Sequence, residues 1–348
     1  MNRPVSAVDL FCGAGGLTHG FILEGIEVQA GIDVDSICQY PFEHNNNSKF
    51  LEKDISFVTV EDIRPYFSQK GIRVLAGCAP CQPFSTYSQG HRSTADDRWA
   101  LLYQFARLAD ELRPEILTME NVPKLVEHEV FADFVTALKN FGYHVNYQIV
   151  DCKYYGVPQN RRRLVMFASK YGTVEMVPPT HDEKSFVTVK KVIGKIEKIA
   201  AGESSKKDPL HRTSRLSAKN LERIRASTQG GTWKDWSEYL RADCHKKRSG
   251  KSYPSVYGRM SWGEPAPTIT TQCYGFGNGR FGHPEQDRAL SLREAALIQT
   301  FPKDYAFVPP KQPVHIKKIG RLIGNAVPVQ LAQAIARSIL KHLASHKI

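Results

Sequence analysis

The chain contains no run of 18 or more apolar residues, so no membrane-spanning helix is expected. No apolar leader opens it either: Met1-Asn2-Arg3-Pro4 runs straight into a strand-like stretch, which does not read as a secretory signal. Cysteine is sparse and odd in number, seven over 348 residues, which argues against a disulfide framework and for a reducing, cytoplasmic setting. No internal repeat or low-complexity tract is evident. Acidic residues are in short supply: 35 Asp and Glu face 47 Lys and Arg, for a net charge of +12. Nearly all of that excess is local. Between His181 and Trp262 there are 19 Lys and Arg against 9 Asp and Glu. A concentrated basic segment suggests a polyanion partner, nucleic acid first.

What is present is the composition of an ordinary globular protein, 41% hydrophobic and 24% charged, long enough for two domains. The first 170 residues alternate short apolar runs with helical spacing. Strands are expected at Ala7–Phe11, Val28–Ile32, up to Lys53–Ile55, at Val74–Ala76, Glu115–Met119 and Arg162–Ala168. Helices are expected at Leu17–Glu24, near Asp35–His44, from Thr59 and at Trp99–Leu112. Thr59 followed three residues on by Asp62 resembles a capping box. Such alternation indicates a parallel sheet with helices on both faces, and ligands gather at the carboxyl ends of its strands. The turn Cys12–Gly16, Asp33, Asp54, Cys81 and Glu120 all fall at such ends. From about Lys170 to Lys318 the rhythm is lost, and a smaller domain with irregular β structure is expected. Leu292–Gln299 reads as a helix within it or at its hinge. The tail from Val327 to His342 reads as a helix returning to the first domain.

The glycine turn after the first strand would let a ligand approach backbone N–H groups at a helix N-terminus. It fails as a dinucleotide fingerprint, because Thr18 stands where the third glycine should be. Asp33, 20 residues beyond Gly13, is suitably placed to grip ribose hydroxyls. An adenosyl cofactor without a pyrophosphate fits both facts, with S-adenosylmethionine the obvious one. A structural turn with a structural aspartate is the plainer alternative. Cys78-x-x-Cys81 lacks the second Cys or His pair of a zinc site, and no metal is expected. It also does not open a helix as a redox pair would. A nucleophile at Cys81, with Cys78 as packing, reads better.

At this point a resemblance emerges. Asp9-Leu10-Phe11-x-Gly13-x-Gly15-Gly16-Leu17, Pro80-Cys81-Gln82-Pro83-Phe84-Ser85, Glu120-Asn121-Val122-Pro123, Gln159-Asn160-Arg161-Arg162-Arg163 and Arg321-x-x-Gly324-Asn325-Ala326-Val327-Pro328 resemble, in order, motifs of the cytosine-5 DNA methyltransferases of bacterial restriction–modification systems. The resemblance implies an α/β fold: a Rossmann-like, S-adenosylmethionine-dependent domain with a mostly parallel sheet, and a smaller, irregular target-recognition domain. It implies boundaries of 1–170 plus 318–348 for the first and 171–317 for the second. Thiolate attack by Cys81 at carbon 6 of cytosine would make carbon 5 nucleophilic, splitting one hard step into two. A carboxylic acid engaging ring nitrogen 3 assists that attack, and by resemblance this is Glu120. Arg163, with Arg161, would hold the base's carbonyl oxygen and the loop. Such chemistry needs the base flipped out of the duplex.

The resemblance further implies cofactor contacts at Phe11, Gly13, Gly15, Leu17, Asp33, Asp54, Ile55, Pro80, Leu101, Asn325 and Val327. Two departures stand out: Val34 replaces a common aromatic, and Ala79 a common proline. The loop after Cys81 would be a lid, with Gln82, Ser85 and Arg98 as DNA contacts. Thr268, in Pro267-Thr268-Ile269-Thr270-Thr271, resembles the family's threonine element and is also expected at the DNA. Trp233, Trp236, Tyr239, Tyr253 and Tyr257 are expected to form the second domain's small core. The expected partners are double-stranded DNA and a cognate restriction endonuclease acting on the same site without a stable complex; the chain itself is expected to be monomeric. A transfer-RNA methyltransferase of the same fold and an inactive DNA-binding homologue are the alternatives.

Overall fold

A computed structural model describes residues 3–80, 95–247 and 255–348, with side chains from Ala100 onward in the helix that begins at Ala95. In chain order the elements are β1 (Val5–Leu10), α1 (Gly16–Leu23), β2 (Glu27–Asp33), α2 (Gln39–Asn46), β3 (Lys49–Glu52), α3 (Val60–Ile63), β4 (Ile72–Gly77), α4 (Ala95–Leu112), β5 (Ile116–Asn121), α5 (Glu129–Asn140), β6 (His144–Asp151), β7 (Gln159–Asn160) and β8 (Arg162–Ser169). There follow α6 (Val189–Ile193), α7 (Ala218–Arg225), α8 (Asp243–Lys246), β9 (Ala266–Pro267), α9 (Leu292–Ile298), α10 (Ile316–Asn325) and α11 (Val329–Ser345). They divide into two compact units: 1–151, 162–179 and 327–348 in the first, 152–161 and 180–326 in the second.

The first unit is a seven-stranded sheet of order β3-β2-β1-β4-β5-β8-β6. β1 to β5 pair in parallel, while β8 runs antiparallel to both β5 and β6. The alternation of side chains along β1 decides what packs where. Val8 and Leu10 join Phe105 and Leu108 of α4 and Phe134 and Leu138 of α5 in one apolar cluster. Asp9, between them, turns the other way and meets Thr18 of α1. On α1, Gly20 lets α11 come close: a Cβ there would stand 2.4 Å from the Cβ of Ala332. Helix α1 follows Gly15 (φ 84°) and ends before Gly25 (φ 86°), both in the left-handed region that glycine tolerates. Thr59 and Asp62 do form a capping box at α3.

The second unit contains less β structure than its composition suggested. Among the described residues it holds one two-residue parallel ladder, β7 with β9, and three isolated bridges. Short helices and loops make up the rest. A small cluster of Ile224, Trp233, Trp236, Phe276 and Ala289, with Tyr257 against it, is its aromatic core. Tyr239 is not part of it: the side chain is 74% exposed, with Lys219 Nζ 3.2 Å above its ring. Tyr253 lies outside the described residues. No helix among the described residues is long and apolar enough to cross a membrane.

Candidate active site

The turn leaving β1 is shaped by Phe11 (φ 59°), Gly13 (φ 53°) and Gly15 (φ 84°). Glycine adopts these angles freely, whereas Phe11 holds its own against a steric cost. The Gly13 N–H donates to Asp33 Oδ2 at 2.9 Å, and the Asp35 N–H donates to Oδ1 at 3.0 Å. Asp33 therefore ties the turn to the end of β2, and burial raises its pKa against those hydrogen bonds. Each of its oxygens keeps a lone pair for a ligand. A Cβ placed on Gly13 would meet nothing within 4 Å, so the turn borders open space. A carboxylate with spare acceptors beside open space fits the ribose hydroxyls of an adenosyl group.

The other expected cofactor residues fall as follows. Leu17 is buried in α1; Asp54, just past β3, is exposed and accepts the Ser56 N–H at 2.9 Å; Ile55 is buried. Leu101 is half-buried on α4, Pro80 exposed, Val327 buried. Asn325, the last residue of α10, is exposed and belongs to the second unit. Val34 is 68% exposed, as no core side chain would be.

β4 and β5 pair with Gly77 beside Met119, so Cys78 comes next to Glu120 in register. Asn121 Nδ2 donates to the Ala79 carbonyl at 2.9 Å and fastens the departing chain to β5. Cys81, Gln82 and Ser85 follow and lie outside the described residues, as does the side chain of Arg98. Glu120 is 7% exposed, and Arg163 Nε on β8 stands 2.9 Å from its Oε1. The two are charge-paired without the alignment of a hydrogen bond, so Oε1 is buried with an acceptor to spare. Burial, and after it the Glu120 and Asp9 carboxyls, push the Cys78 thiol well above its usual pKa. Cys78 is thus held as a thiol, which suits packing and not nucleophilic attack.

Arg161 has different company. It is 2% exposed, and its Nη1 and Nη2 donate to the carbonyls of Ile269 (3.0 Å) and Ala326 (3.4 Å), all within the second unit. Thr268 Oγ1 donates to the Asn160 carbonyl at 2.5 Å in the same unit. Two residues matter here that sequence reasoning gave no role. Asn121 sits inside the acid motif, and only the fold shows its hold on Ala79. Asp9 is 2% exposed; its Oδ2 accepts from Thr18 Oγ1 at 2.7 Å, and its Oδ1 has no partner among the described residues. Burial pushes its pKa up to about 7. Its signals are an acid inside the apolar run Ala7–Phe11 and its place at the head of the first motif.

The family model for C-5 cytosine-specific DNA methylases matches residues 5–341. The chain belongs to that family. It is a DNA (cytosine-5-)-methyltransferase, similar over 97% of its length to the type II methylase M.HgiDII of Herpetosiphon aurantiacus, at 52% identity and 96% of that chain. The type II methyltransferase M1.HphI of Haemophilus parahaemolyticus is 31% identical over 96% of this chain and 86% of its own. Among solved structures, a candidate DNA modification methyltransferase from an Escherichia coli prophage superposes with a TM-score of 0.75 at 22% identity, covering 98% of this chain and 99% of that one. Spodoptera frugiperda DNMT2 follows at 0.67 and 17%, covering 97% and 99%. At those identities the methyltransferase shares their fold, and no more is drawn from them.

Proposed function

We propose that this methyltransferase moves a methyl group from S-adenosylmethionine to carbon 5 of a cytosine flipped out of a specific duplex sequence, through a covalent Cys81 adduct. The observation that carries the reading is the buried Glu120–Arg163 pair at the end of β5, in register with the strand end that leads to Cys81. The cofactor, when bound, supplies an electrophilic methyl. Phe11, Gly13, Gly15, Leu17, Asp33, Asp54, Ile55, Pro80, Leu101, Asn325 and Val327 are the residues that would hold it, with Asp33 on the ribose. Cys81 attacks carbon 6, and Glu120 engages ring nitrogen 3, which draws electron density away as the bond forms. Arg163 keeps Glu120 in place beside the base. Asn121 holds Ala79, two residues before Cys81 in the chain.

Gln82, Ser85, Arg98 and Thr268 act at the DNA, and Arg161 braces the region that presents Thr268. The basic segment 181–262 gives salt-dependent affinity for phosphates. The resemblance to type II methylases supports a role as the modification enzyme of a restriction–modification system. It acts as a single chain, and a cognate endonuclease meets the same site without forming a stable complex. Methyl transfer from labelled S-adenosylmethionine to unmethylated plasmid DNA tests the reading. Cys81→Ser should abolish transfer while cofactor binding survives, and Glu120→Gln should slow it about 100-fold or more. Full activity in Cys81→Ser would end the proposal.

A further inference from the structure

Among the described residues, the half-buried and buried arginines of the second unit are, with one exception, tied to partners inside it. Arg259 Nε and Nη1 donate to four carbonyls, Ile224, Ser227, His283 and Gln286, while Nη2 pairs with Asp287. Arg288 forms a fork on Glu294 at 2.7 and 2.8 Å, and Arg293 holds Asp208 and the Tyr305 carbonyl. Arg280 is the exception. It is half-buried, its Nε is buried with no acceptor, and among the described residues no carboxylate, carbonyl or ring meets its guanidinium. An unmet buried donor is destabilising, more so when the group is charged. Arg241 also has a buried Nε without an acceptor, but its Nη2 reaches the Lys234 carbonyl at 3.0 Å; Arg280 places no nitrogen on a partner among the described residues and is a cation open to an outside acceptor.

The position is also built. Arg280 stands in the glycine-rich stretch 275–282, and its stem lies across Gly258. A Cβ at 258 would be 2.8 Å from Arg280 Cγ and 2.7 Å from the Gly231 carbonyl, so only glycine leaves room for that stem. The Gly282 N–H donates to the Gly258 carbonyl, and the Met260 N–H to the Gly282 carbonyl, both at 2.9 Å, which locks the two segments together. Packing of the stem, not polar contact, aims the guanidinium. Its donors are therefore preorganised without being used.

We propose that Arg280 is a direct contact to the DNA, its two terminal nitrogens taking a pair of acceptor atoms on the duplex. Both guanine, through O6 and N7, and phosphate, through two oxygens, present such a pair. The inference rests on the chain acting on duplex DNA and is independent of the Cys81 chemistry.

Filter binding of an unmethylated plasmid fragment across a salt series, with sequencing of the methylated sites and thermal melting, tests it on the full chain. Arg280→Met keeps the stem and removes the fork. It should melt at or above the wild-type temperature and bind the fragment about 5- to 150-fold more weakly. Arg280→Lys separates the two acceptors. Near-normal binding at unchanged sites, with a salt slope about one unit lower only in Arg280→Met, assigns a phosphate. Weak binding with a relaxed base at one position of the site assigns a guanine. Binding of Arg280→Met within twofold of wild type at unchanged sites would overturn the proposal. So would a large fall in melting temperature for both Arg280→Met and Arg280→Gln, since Arg280 would then be holding the fold.

Discussion

In the first unit Phe105 of α4 and Phe134 of α5 meet at 5.4 Å inside an apolar cluster that runs under four parallel strands. In the second, the side chains of Arg288 and Glu294 lie together with no exposure at all, and Arg259, Arg293 and Gln159 reach across to distant carbonyls. One unit is held by repeated backbone ladders and hydrophobic area. The other is held by individual polar side chains acting as braces. Apolar packing tolerates approximate shape, but a buried charge that loses its partner is left uncompensated. The second unit should therefore fail at single residues, and the first by degrees.

The largest effect should follow from breaking a brace. Arg288→Ala takes the arginine partner from the buried Glu294, which keeps the Ser291 N–H, and should cost about 3–5 kcal/mol, read as lost amide protection confined to the second unit. Replacing both partners with leucine should recover much of that, because the pair's net worth is small once neither charge remains.

A pH difference comes next. Asp9 has its pKa raised from 3.8 to about 7, chiefly by burial. Its contribution to the first unit is complete below pH 3.8 and is lost as pH rises to about 7, at no more than about 1.4 kcal/mol per unit. His283 has its pKa lowered from 6.5 to about 4, again chiefly by burial, with Glu294, Arg288, Glu285 and Arg259 around it. Its contribution is complete above pH 6.5 and is lost as pH falls through about 4. Between those limits the two units respond with opposite signs. Hydrogen exchange at pH 4.5 and 6.5 should show the second unit loosening in acid. Asp9→Asn should gain stability relative to wild type as pH rises across that window. Equal slopes for Asp9→Asn and wild type would remove Asp9 from the account.

The smallest effects are at the helix caps. Thr59→Ala, at an exposed box where the Thr59 N–H donates to Asp62 at 2.8 Å, should cost about 1 kcal/mol in a denaturant titration. Ser291 also meets His211 Nδ1 at 2.8 Å and is wholly buried, so Ser291→Ala should cost more than its counterpart.

The same contrast explains what could be read from residues alone. β1, β2, β4 and β5 are short apolar runs beside glycine, proline or an acid, and such punctuation needs no tertiary knowledge. The boxes at Thr59 and Ser291 are local for the same reason, although only the first was recognised. α5 and β6 were not seen. His144–Asp151 is an edge strand with half its residues exposed and only Val150 buried, and its Asn, Gln and Tyr dilute the alternation. The reversal of β8 between β5 and β6 is a matter of connection, which residue pattern does not encode. In the second unit the braces join residues as far apart as Gln159 and Gln299, at 2.7 Å, and no periodicity marks such pairs. At the site, Glu120 and Arg163 came from motifs and do lie together. Asn121 and Asp9 needed coordinates, because their value lies in one atom facing one neighbour.

Trapping with a 5-fluorocytosine duplex carrying the methylation site tests the central claim most directly. After methyl transfer a base must remove the carbon 5 proton as the Cys81 thiolate leaves; with S-adenosylmethionine present, fluorine at carbon 5 blocks that step and should leave protein and DNA joined. The account predicts a denaturant-stable adduct whose mass maps to the peptide containing Cys81, absent in Cys81→Ser and slower to form in Glu120→Gln. Methyl transfer by the wild type with no adduct, or an adduct that persists in Cys81→Ser, would contradict it.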